Sequence, residues 1–263
     1  MKVAASLPAL RPDWPAPARV QALCTTRAGG VSGPPWDSLN LGEHVGDDPA
    51  AVSANRRVLA EALQARPVFL QQVHGREVQA LDAGTPDGCV ADACLTRTPG
   101  IACTIMVADC LPVLLCDRAG STVGAAHAGW RGLAGEGGRG VLEQTVDRFL
   151  AAAQIAPRDA AAQVLAWLGP CIGPQAFEVG AEVKAAFEAQ DPQAARFFVQ
   201  RPEGKWLADL AGLARQRLTA LGLTSIHGND GSAGWCTVGN PSRFFSHRRD
   251  GRSGRFAAGI WLR

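Results

Sequence analysis

The chain has 263 residues, of which 47% are hydrophobic and 19% charged, with a formal net charge of +2. This composition describes a globular protein with a sizeable core, excludes a disordered chain, and gives no reason to expect a nucleic-acid or membrane partner. Tyr is absent, so no phenol acid or tyrosyl radical is available, and the eight cysteines include no Cys-x-x-Cys pair, which argues against a zinc ribbon or a thioredoxin-like site.

Four prolines, Pro8, Pro12, Pro15 and Pro17, interrupt the first nineteen residues, which lack the apolar core of a signal peptide. No apolar run reaches the length of a transmembrane helix, and the expected location is the cytoplasm. Residues 1–18 read as an N-terminal extension of a single domain spanning 1–263. Val20 to Thr26 reads as a strand, followed by a turn-rich loop from Arg27 to Pro35. Asp48-Pro49 opens a helix, with Asp as cap and Pro at the first helical position, and Val52, Leu59 and Leu63 share its apolar face. Strands are expected over Val68–Val73 and Glu77–Leu81, then over Ile101–Val107, Pro112–Cys116 and Ser121–Ala126. The last three follow one another closely, which suggests antiparallel pairing. A helix over Val141–Ala153, a strand over Val164–Leu168, helices over Glu182–Ala189 and Leu207–Leu221, and a closing strand over Phe256–Leu262 complete the chain. Interleaved strands and helices predict a mixed α/β (α+β) domain with mixed, partly antiparallel sheets covered by helices. Cys24, Cys103 and Cys116 lie in apolar runs as small hydrophobes, whereas Cys89 and Cys94 are either buried filler or pocket lining.

Three segments stand apart: Gln71-Gln72-Val73-His74-Gly75, Val107-Ala108-Asp109-Cys110-Leu111-Pro112, and Ala126-His127-Ala128-Gly129-Trp130-Arg131-Gly132. Each sets a thiol or imidazole in a Gly- or Pro-bounded setting at a strand end. Two imidazoles and one thiolate make a plausible three-ligand set for a catalytic zinc with its fourth position open. Taken singly, the same residues read as hydrogen-bonded loop histidines and a buried cysteine, and their spacing matches no short zinc motif.

These segments resemble the signatures of the YfiH-like family. Further matching pieces are Thr25-Thr26-Arg27-x-Gly29-Gly30-Val31-Ser32, Ser38-Leu39-Asn40-Leu41-Gly42, Leu168-Gly169-Pro170-Cys171-Ile172-Gly173, and Arg248-Arg249-Asp250-Gly251-x-Ser253-Gly254-Arg255. Members of that family have been called polyphenol oxidases or laccases, purine nucleoside phosphorylases and peptidoglycan editing factors. The resemblance implies a single mixed α/β domain, zinc on His74, Cys110 and His127, and purine nucleoside chemistry. That chemistry is phosphorolysis of adenosine, inosine, guanosine or methylthioadenosine, together with adenosine deamination. The expected partners are a small-molecule nucleoside and phosphate, with no obligate protein partner.

The residues themselves bear on each label. A multicopper oxidase draws heavily on imidazole, and the five histidines, His44, His74, His127, His227 and His247, include no His-x-His pair. Copper could still displace zinc from such ligands. Asp109, beside a ligand, is the first candidate for proton transfer or for orienting a ligating His. Phosphorolysis needs cations for phosphate, for which Arg27 and Arg131 in Gly-rich turns are candidates, with Arg248, Arg249 and Arg255 as further ones. Gln72, Asn40 and Cys171 complete the set of expected substrate contacts, Asn40 as a sugar-hydroxyl partner or a turn cap. Cys110 with His127 or His74 as base also fits a cysteine hydrolase acting on an amino-acid-bearing UDP-N-acetylmuramoyl precursor. A non-catalytic nucleotide-binding module is a third alternative.

Overall fold

The computed structural model describes residues 7–263. Its fourteen strands are β1 (Ala9–Leu10), β2 (Val20–Thr25), β3 (Arg66–Phe69), β4 (Val78–Leu81), β5 (Ala93–Thr96), β6 (Ile101–Val107), β7 (Leu111–Asp117), β8 (Val123–Ala128), β9 (Val164–Leu168), β10 (Glu178–Val179), β11 (Phe198–Gln200), β12 (Trp206–Ala208), β13 (Ser225–Gly228) and β14 (Phe256–Leu262). The α-helices are α1 (Pro49–Leu63), α2 (Trp130–Ala134), α3 (Val141–Ala153), α4 (Ala160–Gln163), α5 (Ala181–Glu188), α6 (Leu210–Ala220) and α7 (His247–Asp250).

Two mixed sheets make the frame: a five-stranded one ordered β1-β2-β14-β6-β3 and a six-stranded one ordered β13-β9-β7-β8-β5-β4. They stack face to face, and the alternation of strand side chains divides the apolar residues between three layers. On β6, Ile101, Cys103, Ile105 and Val107 point into the core between the sheets, while Ala102 and Met106 point outward to α1. On β7, Leu114 and Cys116 point between the sheets, while Leu111, Val113 and Leu115 meet the core under α3 and α6. Burial on both faces is why these strands read as mostly apolar runs rather than alternating ones. The result is the expected single domain of mixed sheets covered by helices.

Several sequence expectations shift. β6 pairs with β14 and β3, not with β7, so the three strands thought to be consecutive are split between the sheets. The strand expected to run to Val73 ends at Phe69, and beyond it only Gln71 bridges, to Val90. β5 was not anticipated, and it buries Cys94 in the inter-sheet core. Leu207 belongs to β12, because α6 starts at Leu210 behind Asp209, whose carboxylate accepts the Gly212 N–H at 2.8 Å. Of the N-terminal extension, residues 1–6 lie outside the described residues, while Ala9 and Leu10 pair with β2. No helix among the described residues is long and apolar enough to cross a membrane.

Asp209→Ala removes the cap of α6, a helix whose Leu210, Leu213 and Leu218 are buried. Loss of about 1 kcal/mol is expected, read as a lowered chemical-denaturation midpoint with an unchanged slope.

Candidate metal centre and pocket

His74, Cys110 and His127 converge, with all three donor atoms within 4.8 Å of one another. Each arrives from a different connection. His74 lies in the loop between β3 and β4, with a left-handed backbone at φ 60°. Cys110 follows Asp109, whose own φ of 98° reverses the chain between β6 and β7. His127 is on β8, buried against the sheet. Such non-glycine conformations cost about 1–3 kcal/mol each and persist only when the surroundings fix them.

Asp92 does much of that fixing. Its fully buried carboxylate accepts N–H bonds from Val73 at 3.0 Å, His74 at 2.9 Å and Gly75 at 2.7 Å, and it bonds His127 Nδ1 at 2.8 Å. One side chain therefore shapes the His74 loop and orients the His127 ring. With Nδ1 bonded to a carboxylate, Nε2 of His127 is the nitrogen left to ligate a metal once its proton is displaced. Burial alone would push the Asp92 carboxyl up, but these hydrogen bonds outweigh it and hold the group below its ordinary value.

The donor set fits a zinc ion. Zinc bonds of about 2.3 Å to sulfur and 2.0–2.1 Å to nitrogen put a tetrahedral S···N pair about 3.6 Å apart. Cys110 Sγ lies 3.6 Å from His74 Nε2. Desolvation raises the Cys110 thiol, yet the adjacent His127 charge and hydrogen bonds to His127 and His74 bring it down to about 6. Burial lowers His127, but the Cys110 thiolate and the Asp92 carboxylate carry it up to about 9. Without metal the pair is a thiolate–imidazolium ion pair at neutral pH.

Glycine keeps the site open. A Cβ on Gly129 would stand 2.7 Å from His74 Cδ2 and 3.0 Å from Cys110 Sγ, and one on Gly132 would meet the Gly75 carbonyl oxygen at 2.7 Å. The ligands form part of the wall of a cavity of about 360 Å³, which also takes in Met106, Ile172, Phe177 and Leu210 on its apolar side. His44, His247, Arg248 and Arg255 supply basic groups to the same cavity.

The family profile described as "Multi-copper polyphenol oxidoreductase laccase" matches residues 21–263. A Pseudomonas aeruginosa protein named purine nucleoside phosphorylase is 54% identical over 254 residues, covering 96% of this chain and 98% of the relative. The Escherichia coli purine nucleoside phosphorylase YfiH is 50% identical over 253 residues, covering 95% and 97%. The chain belongs to the YfiH-type family. Among solved structures, YlmD from Geobacillus stearothermophilus superposes with a TM-score of 0.87 at 33% identity, covering 99% of this chain and 98% of that one. A Neisseria meningitidis protein gives a TM-score of 0.84 at 46% identity, covering 97% and 98%.

The YfiH-type motif residues separate into two groups in this structure. Asp109, Gln72 and Arg248 line the cavity with the three ligands. Gln72 is tied to the end of β6, donating to the Met106 carbonyl at 2.8 Å and accepting its N–H at 2.9 Å. Asp109 does not orient a histidine. Its Oδ1 accepts the Thr237 hydroxyl at 2.5 Å and its Oδ2 the Arg248 N–H at 2.7 Å, so the orienting role falls to Asp92.

The other group stands outside the cavity wall. Arg27 is engaged by the Asp37 carboxylate at 3.3 Å and by two carbonyls. Asn40 is fully buried and bonds Gly42, Asp47 and the Arg255 N–H. Arg131 lies over the Trp130 ring, exposed. Cys171 is buried beside Asn229, and burial keeps its thiol protonated. Arg27, Asn40 and Cys171 are held by framework contacts here, whereas Arg131 stands exposed over Trp130, a residue of the cavity wall. Sequence reasoning passed over Asp92, His44 and His247. The only signal for Asp92 was a lone acid in the otherwise apolar run Val90–Ala93.

Asp92→Asn puts an amide NH₂ against at least one N–H donor, since both carboxylate oxygens are occupied by such donors. A stability loss of about 2–4 kcal/mol and zinc affinity weakened about 10–100-fold are expected, measured by denaturation and by competition with a chromophoric chelator. In metal-free protein, alkylation of Cys110 by iodoacetamide should persist down to pH near 6 and be lost below it as the thiolate is protonated. A profile with its midpoint near the ordinary thiol value would contradict the ion pair.

Proposed function

We propose that the chain is a zinc-dependent purine nucleoside phosphorylase that also deaminates adenosine. The observation that carries this is one cavity combining a His74–Cys110–His127 ligand set, an apolar side with Phe177 for a base, and a basic side for an anion. The names of the Pseudomonas and Escherichia coli relatives support it. A cavity of about 360 Å³ is within the usual range for a small-molecule site.

His74, Cys110 and His127 would hold the zinc, which supplies Lewis acidity at its open position. Copper could replace it on the same donors. In phosphorolysis a phosphate oxygen bonds C1′ of the sugar while the C1′–N9 bond breaks and its electron pair leaves with the purine. Ile172, Phe177 and Leu210 exclude water from the base side, which favours phosphate over water as nucleophile. Asp109 is held as an acceptor by Thr237 and Arg248, the state needed to take a proton from an incoming nucleophile. A multicopper oxidase reading finds little here, because the described residues offer one cluster of three metal donors.

A second reading has its own observation. Cys110, His127 and Asp92 stand in the order thiolate, imidazole, carboxylate, the arrangement of a cysteine hydrolase. In a metal-free state that set would cleave an amide, such as that of an amino-acid-bearing UDP-N-acetylmuramoyl precursor of peptidoglycan.

Zinc content decides between them. Protein purified without added metal should hold about one zinc per chain, lost in Cys110→Ala. Inosine with phosphate should then yield hypoxanthine and ribose 1-phosphate, adenosine should yield inosine, and a chelator should abolish both. A chelator that instead releases amide hydrolysis would establish the cysteine-hydrolase reading.

A further inference from the structure

Unlike Arg27 and Arg249, Arg255 carries a guanidinium without a carboxylate partner among the described residues. Arg27 pairs with Asp37, and Arg249 with Asp250 and three carbonyls. Arg255 makes no ion pair among the described residues. Its Nη1 gives hydrogen bonds to the Ser253 carbonyl at 2.9 Å and the Gly254 carbonyl at 3.1 Å. Nε and Nη2 have no acceptor among the described residues, and together they form the edge with which arginine grips a carboxylate or phosphate in two parallel bonds. Arg255 is part of the cavity wall, and desolvation acts on its guanidinium more strongly than the nearby Cys110 and Asp109 charges. A half-buried cation without a carboxylate partner is costly unless an anion completes it.

Its surroundings keep that edge in place. The Arg255 backbone N–H donates to buried Asn40 at 2.9 Å, and a Cβ on Gly42 would strike Arg255 Cγ at 2.8 Å, so the loop packs directly on the side-chain stem. His44 lines the same wall; desolvation and the guanidinium groups of Arg255 and Arg56 hold its imidazole below the ordinary value. It thus offers a neutral hydrogen bond. Arg248, exposed at the mouth, sits over the Phe177 ring with Nη1 on the Glu178 carbonyl.

We propose that the Nε–Nη2 edge of Arg255 is the anchor of an oxyanion subsite in this cavity, taking the phosphate co-substrate, with His44 and Arg248 completing it. The assignment rests on the phosphorolysis reading. It replaces Arg27, whose guanidinium is engaged by Asp37, and Arg131, which is not part of the cavity wall.

The test is calorimetric titration of the zinc-loaded protein with inorganic phosphate and, separately, with acetate as a carboxylate probe. The variants are Arg255→Met, Arg255→Lys and, as a control on the exposed face of α3, Arg148→Met. Zinc content and melting temperature confirm that each is folded. Arg255→Met should weaken phosphate binding about 10–100-fold, Arg255→Lys less, and Arg148→Met not at all. In turnover, KM for phosphate should rise in Arg255→Met while KM for inosine stays within about twofold. Phosphate bound by Arg255→Met as by wild type, or not bound by wild type, overturns the subsite. Acetate bound through Arg255 while phosphate is ignored also overturns it, and assigns the edge to a carboxylate carried by the substrate. Phosphate held through Arg255 without any nucleoside turnover retains the subsite and sinks the phosphorylase reading instead.

Discussion

The site depends on a single buried carboxylate. Asp92 stands just before β5, and its own carbonyl accepts the His127 N–H at 2.7 Å while its side chain bonds the His127 ring and three successive N–H groups of the loop holding His74. Four charge-assisted bonds to one anion, each worth about 1.5–3 kcal/mol, suffice to offset its desolvation and to hold His74 in a conformation that L-residues seldom adopt. The negative charge also favours an imidazolium or a metal-ligating imidazole at His127. Position, tautomer and charge of the donor set thus share one cause.

This dependence explains what was legible in the sequence and what was not. The central strands announced themselves, because burial on both faces makes Ile101–Val107 and Phe256–Leu262 mostly apolar. Asp48-Pro49 marked the start of α1 through local chemistry alone, and the structure shows Asp48 accepting from Ala50 N–H. The ligand segments stood out because they crowd rare residue types into Gly-bounded turns. Which sheet each strand joins was hidden, since a strand buried on both faces carries no sign of its neighbour. Asp92 was hidden for another reason: its role is defined by residues 17 to 35 positions away, and a lone acid in a short apolar run does not reveal those partners.

The arginines teach the same lesson from the opposite side. Arg27 and Arg131 had suggestive neighbours, Gly-Gly in one case and Trp-x-Gly in the other. Yet local glycine says only that the backbone can turn, whereas availability of a guanidinium depends on whether distant acceptors already occupy it. Asp37 and the Pro241 carbonyl occupy Arg27. Arg255, in the less conspicuous Ser253-Gly254-Arg255 segment, keeps its bidentate edge because its Nη1 satisfies nearby carbonyls.

Metal occupancy would then set which chemistry the same atoms perform. In the metal-free ion pair, Cys110 is a thiolate whose negative charge is balanced by a protonated His127, the condition of an activated nucleophile. A zinc ion held by His74, Cys110 and His127 would have to displace the Nε2 proton of His127 and would engage the Cys110 thiolate as a ligand. A nucleophile and a Lewis-acid site would therefore be mutually exclusive states of one cluster. Zinc affinity at neutral pH would be tempered by the cost of removing that proton, whereas Asp92, which accepts from Nδ1 with or without a metal, need not move. The pocket wall is common to both states, so the change falls on the chemistry at Cys110 and not on the shape of the ligand the cavity admits.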